Sequence, residues 1–124
     1  MNNTMDLSPE KYRHDLAIIR ETAEQVIRDF RIHGVEIVFS GNELTAWEEL
    51  LAQITPVIAT MYSKNRQAFM SLLYQIDISE SKFRKFAETT DQEEFRNQLS
   101  EMIIRREFQK VLTRRYFSDQ SKGR

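Results

Sequence analysis

The long patterned stretch from Asp91 to Phe117 constrains this chain more than any other. Thr90 and Glu93 introduce it in capping-box spacing, a helix-start signature. At a rise of about 1.5 Å per residue, a helix of that length spans a small domain. With residues about 100° apart around the axis, Phe95, Leu99, Met102 and Ile103 share one side, and Ile104, Phe108, Val111 and Leu112 share a side turned well away from it. The apolar stripe changes face midway. Such a helix must pack against different neighbours at its two ends, with Met102-Ile103-Ile104 lying where they meet. The stretch is expected to be the spine of the domain.

Upstream, Ser8-Pro9-Glu10 reads as a helix start, with a capping serine, proline at the first helical position and an acid at the positive end of the dipole. Tyr12, Leu16, Ile19, Ala23, Val26, Ile27 and Phe30 then form one stripe, predicting a single long helix that ends near His33-Gly34. The same spacing is a coiled-coil seam under three heptads long, so packing within its own bundle and pairing with a second copy both fit. Arg20, Glu24 and Arg28 occupy the outer, solvated face.

Val35 to Phe39 alternates in the strand sense between Gly34 and Gly41, in a chain with no other convincing strand. It reads either as an extended connector whose Ile37 and Phe39 plug the core, or as an edge that pairs with a second copy. Thr45 and Glu48 form another capping box, and Leu44, Trp47, Leu51, Ile54, Ile58, Met61 and Tyr62 predict a second long helix, bent at Pro56 and ending near Ser63. A short helix follows, with Phe69, Leu72, Leu73 and Ile76 on one face and Met70 and Tyr74 on another. Ser79-Glu80 then starts a brief helix carrying Phe83, Phe86 and Ala87.

The expected fold is therefore all-α: a compact helical bundle of two long helices, two short helices and a long C-terminal spine helix. It forms one domain over residues 1–124, with frayed ends at about 1–7 and 118–124. A composition of 40% apolar and 30% charged residues with three Gly and two Pro agrees, since a disordered or β-rich chain would differ.

Leu72-Leu73-Tyr74-Gln75-Ile76-Asp77, together with Arg105-Arg106-Glu107-Phe108-Gln109-Lys110-Val111-Leu112, resembles segments of short all-helical bacterial proteins of unassigned function, over the latter half of the chain. The resemblance implies a small bacterial cytosolic protein and carries over no catalytic residue.

Chemistry-bearing patterns are sparse. With no cysteine, thiolate nucleophiles and cysteine-ligated zinc are excluded. Neither a Gly-rich phosphate loop, a nucleophile elbow, a paired-histidine metal motif nor a Glu-x-x-His motif occurs. His14 falls opposite the apolar stripe, His33 in the last turn of its helix, and Asp77 between two isoleucines as a turn acceptor. Glu48 and Glu49 point about 100° apart on a helix and share no proton. No enzyme activity, cofactor or metal is expected.

Charge is distributed unevenly. Residues 1–62 carry 10 acidic and 5 basic side chains, whereas residues 63–124 carry 9 acidic and 13 basic, so the halves attract one another within or between chains. Arg106, Lys110 and Arg114 form a basic stripe at i, i+4 and i+8. Three phosphate contacts are few beside the roughly 6–10 common among duplex binders, so weak nucleic-acid binding through this stripe is the alternative reading. The polar start, Met1 to Asp6, and the lack of a long apolar run predict a cytoplasmic chain without a membrane helix. The favoured function is a non-enzymatic, self-associating protein-interaction module, a homodimer with room for a further protein partner. Its candidate contact residues are Phe108, Val111, Leu112 and Tyr116 on the spine, Ile37 and Phe39 on the connector, and Met70 and Tyr74 on the third helix.

Overall fold

The computed structural model describes residues 9–12 and 14–122, and side chains as far as Ser118. Among them are six α-helices: α1 (Pro9–Tyr12), α2 (Leu16–Arg31), α3 (Ala46–Lys64), α4 (Arg66–Gln75), α5 (Glu80–Thr89) and α6 (Gln92–Lys122), with one 3-10 turn at Glu43–Thr45 and no strand. The all-α reading holds. The 31-residue α6 packs against both α2 and α3, α4 leans on α3 and α2, and α5 follows α4.

The change of face along α6 does what its spacing demands. Leu99, Ile103 and Ile104 join a core with Val26, Phe30, Leu50, Ile54, Ile58, Phe69, Leu72 and Leu73. Phe108, Val111 and Leu112 instead close a second, smaller core with Ile18, flanked by Tyr12 and Trp47. Trp47 borders both. Its ring lies 6.0 Å from Phe108 edge-on, while Tyr62 stands 5.3 Å from Phe95, so α3 and α6 run antiparallel. Phe83 and Phe86 of α5 complete an aromatic cluster at the start of α6.

Several expected boundaries move. The first long helix is broken after α1, because the Asp15 carboxylate accepts from the Ile18 amide and so restarts the helix as an N-cap. Proline does occupy the first position of α1, and Ser8 lies outside the described residues. Thr45 makes no side-chain cap; Asn42 caps the preceding 3-10 turn, and Leu44, placed on that turn, is 79% exposed and outside the core. Asp91, not Thr90, caps α6 by accepting from the Glu93 amide. α3 runs through Pro56 without a break. Helix α6 continues to Lys122 where fraying from 118 was expected, since no Gly or Pro interrupts it before Gly123. The other expected frayed end, about 1–7, lies outside the described residues.

The connector after α2 explains how a lone strand-like segment survives without a sheet. Ile37 is buried and Phe39 packs on the core, as plugs. The Gln53 side chain accepts from the Val38 amide at 2.9 Å and donates to the Val38 carbonyl at 2.7 Å, and Glu49 accepts from the Ser40 amide and hydroxyl. Side chains of α3 thus supply the backbone partners that a second strand would have supplied.

Helices α2 and α4 end in the same way. Val35 N–H bonds the Phe30 carbonyl and Gly34 N–H the Arg31 carbonyl; Ile78 N–H bonds the Leu73 carbonyl and Asp77 N–H the Tyr74 carbonyl. Both are Schellman motifs, whose pivot residue takes a left-handed backbone. Gly34, at φ 77°, does so freely; Asp77, at φ 64°, has a Cβ that resists it. Asp77→Gly should therefore stabilise the fold by about 0.5–1 kcal/mol, because the bond from Arg106 to the Asp77 carbonyl survives the change. Urea denaturation checks this, and a loss of stability would mean that the Asp77 carboxylate, 3.6 Å from Arg106, outweighs the strain.

Candidate functional site

The expected contact residues are mostly spent inside the chain. Phe108, Val111 and Leu112 are 1%, 0% and 5% exposed, so these three cannot form a surface for a second copy. The reason is that α1, α2 and Trp47 already cover the second face of α6. Ile37 is buried, and Phe39 and Met70 pack against the core. Tyr74, 85% exposed, and Tyr116, 40% exposed, remain at the surface.

The basic stripe is likewise engaged. Arg106 bonds the Asp77 carbonyl; Lys110 Nζ lies 3.3 Å from Asp29 Oδ2 and 3.6 Å from Glu107 Oε1; Arg114 donates to Gln25 and Glu21, and Arg115 to Glu21 at 2.7 Å. Arg105 reaches Glu10 at 3.3 Å. The acidic front half and basic back half attract within one chain. A phosphate at this stripe would have to displace a carboxylate at each cation, and nothing in the geometry favours that exchange.

Sequence reasoning missed what the stripe encloses. Asp29 of α2 is 5% exposed and Glu107 of α6 is 0% exposed. Asp29 Oδ1 accepts from Gln25 Nε2 at 3.1 Å and from Gln75 Nε2 at 2.9 Å, while Oδ2 accepts from Gln25 at 3.1 Å and Lys110 at 3.3 Å. Lys110 also donates to the Gln75 carbonyl at 3.4 Å, tying the end of α4 into the group. Neither Glu107 oxygen receives a hydrogen bond from a described group.

Burial pushes the Glu107 carboxyl up to about 9, helped by its hydrogen bond and charge repulsion with Asp29 and opposed by Lys110. Glu107 is therefore protonated at neutral pH. Burial acts to raise Asp29 as well, but donors from Glu107, Gln25 and Gln75 and the Lys110 charge outweigh it and hold the carboxyl below its ordinary range. A faint signal for this existed. Glu107 stands four residues from Ile103 and from Val111, in the middle of an apolar row, and Gln25 and Asp29 flank Val26 and Phe30.

The other titratable candidates have structural places. His33 Nε2 lies 2.9 Å from Gln75 Oε1, and His14 is exposed at the break between α1 and α2. Glu49 serves the connector; hydrogen bonds from Ser40 and Thr45 hold its carboxyl low. Asp77 is the turn residue already described. No group of three or more His, Asp or Glu side chains is gathered for a metal among the described residues, and no helix there is long and apolar enough to cross a membrane.

No protein-family model, curated protein or solved structure matches this chain.

Proposed function

We propose that this chain is a non-enzymatic, self-associating interaction module of the cytosol, and that it pairs through the end of the bundle where α2 and α4 finish. The observation that carries this is the exposure of Ile32, at 71%, and Tyr74, at 85%. Their neighbours His33 and Gln75 are hydrogen-bonded to each other, so both apolar side chains stand at one end of the molecule on well-anchored turns. Tyrosine is a rigid, amphipathic anchor that loses little entropy on contact, and a twofold arrangement would bury each of these side chains twice. Arg31 and Glu36, both exposed beside this end, allow opposite charges to meet across a twofold axis.

Light scattering at high micromolar concentration should return the mass of a dimer. The double variant Ile32→Asp with Tyr74→Asp should return that of a monomer that still unfolds cooperatively, with a melting point that no longer depends on protein concentration. A monomeric wild type overturns the reading. A dimer that resists this pair but is split by Phe117→Asp places the contact at the end of α6, where Phe117 is 63% exposed.

A further inference from the structure

The reading of the buried acids does not rest on that proposed contact, although Gln75 and His33 lie beside both. We propose that Asp29 and Glu107 hold one proton between them as a pH-sensitive latch: with the proton present, the second half of α6 is clamped to α2 and to the end of α4, and its loss releases the clamp.

The orientation of the amides argues for it. Gln25 Oε1 accepts from Arg28 at 3.0 Å and from Arg114 at 3.0 Å, which turns its Nε2 toward Asp29. Gln75 Oε1 faces His33 Nε2, which turns its Nε2 toward Asp29 too. Every amide donor is aimed at one carboxylate and none at the other. This is the arrangement that an ionised Asp29 and a protonated Glu107 require, because a protonated acid supplies its own donor and an ionised one needs several.

Charge balance agrees. On α2 the facing groups are Asp29 and, behind Gln25, Arg28; on α6 they are Glu107, Lys110 and Arg114; on the α4 side they are Gln75, with His33 beyond it and the Asp77–Arg106 pair on the following turn. Among the described residues, α3 and α5 bury no charged side chain. Arg28, Arg114 and His33 orient amides and do not touch the acids, leaving Lys110 as the cation in contact. With the proton in place, one carboxylate meets one ammonium. Without it, two buried carboxylates share that single ammonium, and the uncompensated charge is removed by opening the seam to water.

The test follows single carboxyl carbons and backbone amides by NMR from pH 5 to 10. The Glu107 carboxyl carbon should titrate far above the ordinary carboxylate range. From the ordinary carboxylate range up to that titration, amides of residues 104–114 should lose protection about tenfold per pH unit, after correction for intrinsic exchange, and the loss should level off above it. Glu107→Gln, which keeps a neutral donor toward Asp29, should abolish this extra loss. A Glu107 carbon that titrates in the ordinary range overturns the proposal even if the variant fails to fold. So does an unchanged protection profile in a folded Glu107→Gln.

Discussion

Replacing Lys110 with methionine should destabilise the protein by about 3–5 kcal/mol, far more than removal of an ordinary surface lysine. Methionine keeps the length of the stem and deletes the charge, so the loss isolates the ammonium. Its side chain is 19% exposed and Asp29's is 7% exposed, which leaves the carboxylate with no cation in contact and little water to replace it. Arg84→Ala is the matched control: that side chain is 64% exposed and its partner Glu80 is 70% exposed, so about 0.5 kcal/mol or less is expected. Guanidinium denaturation of both variants decides the matter. Equal small effects would mean that the Lys110 network is solvated and contributes little.

The same measurement across pH separates the two acids by sign. Glu107 is raised in the folded state from 4.5 to about 9, so its favourable contribution is fully present below the ordinary carboxylate range. It is lost as pH climbs toward 9, at on the order of 1 kcal/mol per pH unit. Asp29 is lowered, so its contribution is present above the ordinary range and lost as pH falls through its folded value. Stability should therefore peak in mild acid rather than at neutrality.

Phe108→Ala should cost about 3–5 kcal/mol, because the ring is 1% exposed and anchors the smaller core. Its ring lies 6.2 Å from Tyr12 and 6.0 Å from Trp47, so both lose an aromatic contact with it. Trp47 is the single tryptophan, so its emission reports this cluster directly and should shift to the red as water enters. Phe108→Asp should fail to fold, where a surface position would have yielded a folded monomer. Leu44→Ala provides the contrast at 79% exposure and should change stability by no more than about 0.5 kcal/mol. A mild Phe108→Ala effect would show that the second face of α6 is not sealed as described.

How much could be read in advance follows from which interactions are local. The positions of α3, α4, α5 and α6, the change of face along α6, and the helix ends near Gly34 and Asp77 all depend on residues within a few positions of one another. The sequence by contrast leaves Ile37 and Phe39 open between plugging the core and pairing with a second copy. Periodicity and turn chemistry report the local features directly. The break at Asp15 and the choice of Asp91 over Thr90 as cap are also local, but there two good capping residues compete and spacing alone does not rank them.

The buried acids and the fate of the basic stripe were of another kind. Asp29 meets Gln75 across 46 residues and Lys110 across 81, and Arg115 meets Glu21 across 94. An acid on a helix shows its face through its spacing, but whether that face is covered depends on which other helix closes over it. The amphipathic pattern of α6 determined that it would need two sets of neighbours. Only the tertiary structure determined that α2 would be one of them. That pairing carried Glu107 out of water, turned Arg106, Lys110 and Arg114 toward carboxylates or backbone instead of solvent, and left Tyr74 and Ile32 exposed where the spine had been expected to offer its own apolar side chains.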